Sequence, residues 1–295
     1  MAPILVTGAN GHLGRRFIKT LPAERAVEAL VRSQRAHDVL LSHTGDRQRL
    51  NVTIADPGDP AAVAEVAARC EQAVHLIGMI KETRDNRYRD AHERPALALS
   101  KAAPQTALTH IVYVSILGSD PNSPSRCLRA RAAVEEILMA GRPSVSVIRV
   151  PMVLGERDRA SFALAKRAAA ARVVLFRAGS REQPIYAGDV VAAITHATAF
   201  AAPDDHIFDL AGPESISRRE LIERAASVLD NRPSIYSLPL SMGLGLAGLL
   251  EWTTHHPPMT RELLRVLDHD DAIDPSGAAE ALGIKLTPLD TMLRR

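Results

Sequence analysis

The feature that most restricts this chain is a seven-residue run near its start. Ile4-Leu5-Val6-Thr7 reads as a short buried strand, and it leads straight into Gly8-Ala9-Asn10-Gly11-His12-Leu13-Gly14. From there the apolar positions Leu13, Phe17 and Ile18 recur with helical spacing. A strand that turns into a helix through three spaced glycines presents unpaired helix amides at the strand end, and such a helix terminus attracts phosphate. Each glycine has its own mechanical reason: Gly8 for a tight turn, Gly11 for close approach of a pyrophosphate, Gly14 for packing of helix on strand. The loop predicts that Gly8, Asn10, Gly11, His12, Leu13 and Gly14 hold a dinucleotide.

The rest of the first half supplies the sheet such a loop needs. Short apolar runs predict strands over 4–7, 27–31, 52–55, 73–77, 111–115 and 145–150, with helices over 12–20, 60–70, 88–103 and 125–140. Alternation of this kind predicts an α/β fold, a Rossmann-type doubly wound parallel sheet over residues 1–150. Beyond Pro151 the pattern loosens, with helices predicted over 161–171, 189–200, 217–229 and 260–267. No Gly/Ser linker separates the halves, so residues 151–295 are expected to form a smaller C-terminal α/β lobe packed on the first, for substrate or partner recognition.

The choice of nucleotide is read at the end of the second strand. NAD-preferring sites usually place an acid there to meet the ribose hydroxyls. Here Glu28-Ala29-Leu30-Val31 runs into Arg32-Ser33, which suits a 2′-phosphate, so NADP is preferred over NAD. Asp56, after the third strand, is placed for the adenine amino group, a role that can coexist with a turn or helix cap before Pro57.

Composition narrows what else the chain does. Lys and Arg total 36 against 34 Asp and Glu, a net charge of +2 with no basic cluster, which argues against a nucleic-acid partner. Two cysteines, Cys70 and Cys127, cannot build a disulfide framework and suit a reducing compartment, so the expected location is cytoplasmic. No secretory leader is expected at the N-terminus. The most apolar stretch, 238–250, is shorter than the roughly 20 residues that span a bilayer and is read as a buried or interfacial helix. His255, His256 and His269 do not converge with other ligands, so no metal is expected.

Several further segments carry a resemblance over nearly the whole chain. They are TGANGHLG at 7–14, AVHLIGMIKE at 73–82, VYVSILGSD at 112–120, RARAAVEEIL at 129–138, VIRVPMVLGERD at 147–158, QPIYAGDVVAAI at 183–194 and FDLAGPESISRRELI at 208–222. In these the chain resembles the extended and atypical short-chain dehydrogenase/reductases, which include NAD-dependent epimerase/dehydratase-like proteins. It is similar in particular to the group that contains the nucleotide-binding accessory subunit of respiratory complex I. The resemblance implies that Gly78 and Met79 line the nicotinamide-ribose side and that Pro151 and Val153 approach the nicotinamide.

It also implies a Ser, a Tyr and a Lys four residues after the Tyr, in which the phenol relays a proton and the Lys lowers its pKa. Ser115 occupies the serine position, but Cys127 and Arg131 stand where the Tyr and Lys belong. The residues four positions after Tyr88, Tyr113, Tyr186 and Tyr236 are His92, Leu117, Val190 and Leu240, so no other Tyr-Lys pair replaces them. Arg131 is a candidate for the nicotinamide ribose and a poor proton shuttle, since its pKa exceeds about 12. For Cys127, a cation one turn away is expected to depress the thiol pKa, although an inert buried side chain is the simpler reading.

Two functions stay open. One is an NAD(P)-dependent oxidoreductase or epimerase acting by hydride transfer on an unknown small-molecule substrate, in which Arg157, Arg159 and Arg181 face either solvent or an acidic ligand. The other is a non-catalytic NADP(H)-binding structural, assembly or redox-sensing protein. Residues 238–252 are a candidate contact for a membrane surface or a quinone-like lipid, and the chain is read as a monomer or homodimer.

Overall fold

The computed structural model describes residues 2–44, 48–80, 82, 87–200, 203–254, 260–266 and 268–295. The first strand, β1 (Ile4–Thr7), is buried along its length, as a parallel strand covered on both faces must be. It is followed by α1 (His12–Thr20), β2 (Val27–Val31), α2 (Gln34–Thr44), β3 (Leu50–Ile54), α3 (Pro60–Ala67) and β4 (Gln72–His75). A π-helical turn (Arg89–Glu93) then leads into α4 (Arg94–Ala102), β5 (His110–Ile116), α5 (Arg126–Met139) and β6 (Ser144–Val150). These strands match the predicted set to within a few residues.

Two features of this half were not foreseen. The helix α2 buries only Ala36 and Leu40, too thin an apolar stripe to stand out from its polar neighbours. The segment predicted as one helix over 88–103 breaks because Pro95 has no N–H for the bond to residue 91. Arg94 donates instead to the Arg89 carbonyl, five residues back, and the resulting bulge turns His92 fully inward.

Past β6 come β7 (Val153–Leu154), α6 (Arg159–Ala168), β8 (Arg172–Phe176), β9 (Arg181–Glu182), β10 (Ile185–Tyr186), α7 (Ala187–Phe200) and β11 (His206–Asp209). The chain ends through β12 (Ile216–Ser217), α8 (Arg218–Ser227), β13 (Ser234–Leu238), α9 (Leu240–Thr253), α10 (Arg261–Val266), α11 (Ser276–Ala281) and α12 (Leu289–Leu293).

The central sheet has seven parallel strands in the order β3-β2-β1-β4-β5-β6-β11. Its seventh strand comes from beyond residue 150, pairing Ile207 with Val147 and Phe208 with Ile148. One face is covered by α1, α2, α7 and α11, the other by α3, α4 and α5. A separate core lies beyond the sheet, where Leu164 of α6, Leu221 and Ala225 of α8 and Met292 of α12 close on Val173 and Leu175 of β8. Strand order reverses between β1 and β4, and in sheets of this type the crevice at that reversal, outside the carboxyl ends of the strands, receives the ligand.

The apolar segment after β13 is a helix, as predicted, but not a buried one. Only Gly243 and Ala247 of α9 are buried, while Met242, Leu246, Leu249 and Trp252 face outward, Trp252 at 85% exposure. Among the described residues no helix is long and apolar enough to cross a membrane.

Candidate functional site

The glycine loop sits at the carboxyl end of β1, beside the reversal. Gly8 has φ of +72°, and a Cβ there would lie 2.7 Å from the Leu76 carbonyl carbon of the neighbouring strand's extension. Only glycine fits both the backbone angle and the space. A Cβ on Gly14 would meet the carbonyl oxygens of Gly8 and Ala9 at 2.7 Å, so α1 packs directly on the turn that precedes it. Gly11 is the N-cap of α1, where its amide donates to the Gly8 carbonyl at 2.9 Å. With no side chain to cap it, the first turn of α1 offers its amides to an anion.

His12 and Arg16 tie this helix to the second half of the chain. The carbonyl of Glu156 receives Arg16 Nη2 at 3.0 Å and lies 3.1 Å from His12 Nε2, and the Glu156 carboxylate pairs with Arg16. Tyr186 donates to that carboxylate at 3.0 Å, and the Arg295 guanidinium lies 4.4 Å from the Tyr186 ring centre. Leu13 packs against the core beneath. Pro151 and Val153 are half-buried at the end of β6 and the start of β7.

At the end of β2, Arg32 is exposed and makes no hydrogen bond or ion pair among the described residues, which leaves its guanidinium available to an anion. Ser33 caps α2, its Oγ accepting the Ala36 amide at 3.3 Å. Asp56 accepts the Gly58 amide at 2.9 Å and pairs with Arg94. Both of its oxygens thus have protein partners, the turn role foreseen for it.

The opposite end of the crevice, over β4 and β5, is built from buried polar side chains. Arg131, expected either at the ribose or in solvent, is 8% exposed. Its Nη1 donates to the Tyr113 hydroxyl at 3.0 Å and the Val114 carbonyl at 3.3 Å. A Cβ on Gly78 would lie 2.0 Å from Arg131 Nη2, so that glycine is required for the guanidinium to rest on the loop after β4. His75 contacts Thr7 Oγ1 at 2.8 Å, and His92 Nε2 accepts the Met79 amide at 2.9 Å. Burial, reinforced by the Arg131 charge, pushes the His75 pKa down to about 3 and that of His92 to about 2. Both imidazoles are neutral near pH 7.

Ser115 and Cys127 are each engaged within the protein. The Ser115 hydroxyl donates to Glu135 at 2.5 Å, and Glu135 in turn pairs with Arg149, whose Nε–H is shared between both carboxylate oxygens at 3.1 Å. Cys127 is fully buried with Tyr88, Ala130 and Val266, its thiol 3.7 Å from the Met79 carbonyl oxygen. Its amide donates at 3.0 Å to Glu262 of α10, which also accepts from the helix-capping Ser125 at 2.7 Å. The expectation of a depressed thiol pKa is corrected: burial raises it, outweighing the opposing pull of Arg131. Glu135, His92 and Glu262 were not singled out in the sequence, where each looked like an ordinary helix residue. Their partners are 20, 13 and 135 residues away.

His255 and His256 lie outside the described residues. His269 sits 3.0 Å from the buried Asp271 carboxylate, and among the described residues no three potential ligands come together for a metal. Cys70 and Cys127 are both free.

Comparison with known proteins agrees with this geometry. Residues 8–150 match the NAD(P)H-binding family. The chain is 27% identical over 297 residues to NADH dehydrogenase [ubiquinone] 1 alpha subcomplex subunit 9, mitochondrial, of Arabidopsis thaliana, covering 97% of this chain and 73% of that protein. It is also 27% identical over 295 residues to a ceramide reductase of Caulobacter vibrioides, covering 95% and 88%. Among solved structures, the Bordetella bronchiseptica enzyme WbmH in complex with NAD+ superposes with a TM-score of 0.74 at 16% identity, over 100% of this chain and 96% of that one. A UDP-N-acetylglucosamine 4-epimerase from Methanobrevibacter ruminantium gives 0.73 at 16%, over 99% and 96%. At that identity the structural likeness speaks to the fold alone.

Proposed function

From the match of residues 8–150 to the NAD(P)H-binding family, we propose that the protein retains NADP(H) as a structural, assembly or redox-sensing ligand. The observation that carries this reading is the contrast at the crevice. The glycine loop leaves its amides to a pyrophosphate, whereas the Ser115 hydroxyl already donates to Glu135 and Cys127 is buried beneath α10. Arg131 holds its charge and cannot cycle a proton near neutrality. The relative named as subunit 9 of the NADH dehydrogenase [ubiquinone] 1 alpha subcomplex is a precedent for a place in an assembly. Residues 151–295 would then recognise a partner, and the two buried free thiols support a reducing compartment such as the cytoplasm.

A second reading, a reductase acting on a small molecule, is favoured by the relative named ceramide reductase, which matches over 95% of the chain. The two separate on one measurement. The protein loaded with NADPH is mixed with a panel of aldehydes and ketones, lipid ketones included, and absorbance of the reduced ring is followed. Tight binding without oxidation of the nucleotide upholds the first reading, and sustained oxidation by one carbonyl class establishes the second.

Preference for NADP rests on Arg32. Substituting Arg32→Ala is expected to weaken NADPH roughly tenfold to a hundredfold, the loss of one charge-assisted hydrogen bond, and to leave NADH almost unaffected. Equal losses for both nucleotides in a fluorescence titration would remove the 2′-phosphate assignment.

A further inference from the structure

The carboxyl ends of β4 and β5 hold a full positive charge with no carboxylate bonded to it. The hydrogen bonds of Arg131 go to a phenol and a carbonyl, and its buried Nε has no partner. The surrounding groups on balance favour its charged form, but among the described residues none of them is a carboxylate bonded to it. Glu135, one helical turn on, is occupied by Ser115 and Arg149. Burial keeps the Tyr113 phenol protonated, and His75 and His92 are neutral, with buried nitrogens of their own left unpaired. Burying a guanidinium with no carboxylate bonded to it is costly, and a neutral side chain would fill the same space without that cost.

Its position indicates what it acts on. In a doubly wound sheet the adenosine half of a dinucleotide lies over the first three strands and the nicotinamide half over the second set, past the reversal. Arg131 rests against Gly78, at the end of β4 on that second side. The oxidised nicotinamide ring carries a positive charge, and the reduced ring carries none.

We propose that Arg131 makes the site discriminate between the redox states of its dinucleotide, holding the uncharged reduced ring in preference to the cationic oxidised one. This rests on the dinucleotide reading above. The adenine, riboses and pyrophosphate are the same in both forms, so the glycine loop and Arg32 contribute equally and only the charge near the ring tells them apart. A fixed cation within several ångströms of a bound ring, in surroundings of intermediate polarity, would give a preference of about tenfold. By linkage that raises the two-electron potential of the bound couple by about 30 mV.

The test is calorimetric titration of the full chain with NADPH, NADP+, NADH and NAD+. In the wild type each reduced form is expected to bind about tenfold tighter than its oxidised counterpart, with or without the 2′-phosphate. Arg131→Lys keeps the ratio because it keeps the charge, while Arg131→Gln brings it close to one. Gly78→Ala, whose methyl group must displace the guanidinium, lowers the ratio independently of any change at position 131. Equal affinities of reduced and oxidised forms in the wild type overturn the inference, as does an unchanged ratio in a folded Arg131→Gln protein. Absence of binding by all four nucleotides sinks the dinucleotide reading itself, and this inference with it.

Discussion

The two ends of the crevice treat their polar groups in opposite ways. At the β1–β2 end the outward polar groups are the uncapped first-turn amides of α1, behind Gly8 and Gly14 where a Cβ would clash with backbone, and an exposed Arg32. At the β4–β5 end the polar groups are side chains, and they are buried among themselves: Ser115 on Glu135, Arg131 on Tyr113, His92 on the Met79 amide. Among the described residues, one end leaves its polar groups without protein partners, and the other pairs most of its polar side chains within the protein. The comparison shows why a cofactor frame can persist where the usual proton relay does not, because the two rest on different elements.

The largest expected effect tests whether the second end is closed to water. His75 and His92 have folded pKa values far below the ordinary 6.5, so the unfolded chain binds more protons. Their contribution is complete above about pH 6.5 and is lost as the pH falls toward the folded values, which amounts to about 2 kcal/mol per imidazole between pH 7.5 and 5. Denaturant titrations at those two pH values measure it. A stability that stays flat across that range would mean that the imidazoles are hydrated, and the contrast between the ends would fail.

Next in size is the glycine loop. Gly14→Ala places a methyl group 2.7 Å from two backbone carbonyls, which must move. Dinucleotide affinity should fall at least about tenfold, and stability by roughly 1–2 kcal/mol. Full affinity in this variant, measured by fluorescence titration, would separate the loop from binding. The smallest effect is expected at Cys127. Its replacement by Ala should cost about 1 kcal/mol of stability for a buried sulfur and leave dinucleotide affinity within about twofold of the wild type. A large fall in any carbonyl-dependent turnover would instead make the thiol a reacting group.

Legibility in the sequence follows the same division. The glycine loop could be read because strand, turn and helix are contiguous and each glycine answers a local constraint. The position of Arg32, one residue past the end of β2, could be read for the same reason. The α2 helix escaped notice because two inward residues make no clear period, and the π-helical turn before α4 because its cause, Pro95, stands after it. At the β4–β5 end, Arg131 was visible as a departure from the expected motif, but nothing local told that it is buried or that Gly78 makes room for it.

The amino-acid order by itself determined the parallel sheet, the glycine loop and the missing Tyr-Lys pair, since these depend on residues near one another along the chain and on the backbone geometry they permit. Only the tertiary structure decided how the polar side chains are distributed. Whether Glu135 serves Ser115, whether Arg131 is paired, and whether α9 hides or shows its apolar face depend on contacts between distant segments, whose burial and charge balance no local pattern encodes.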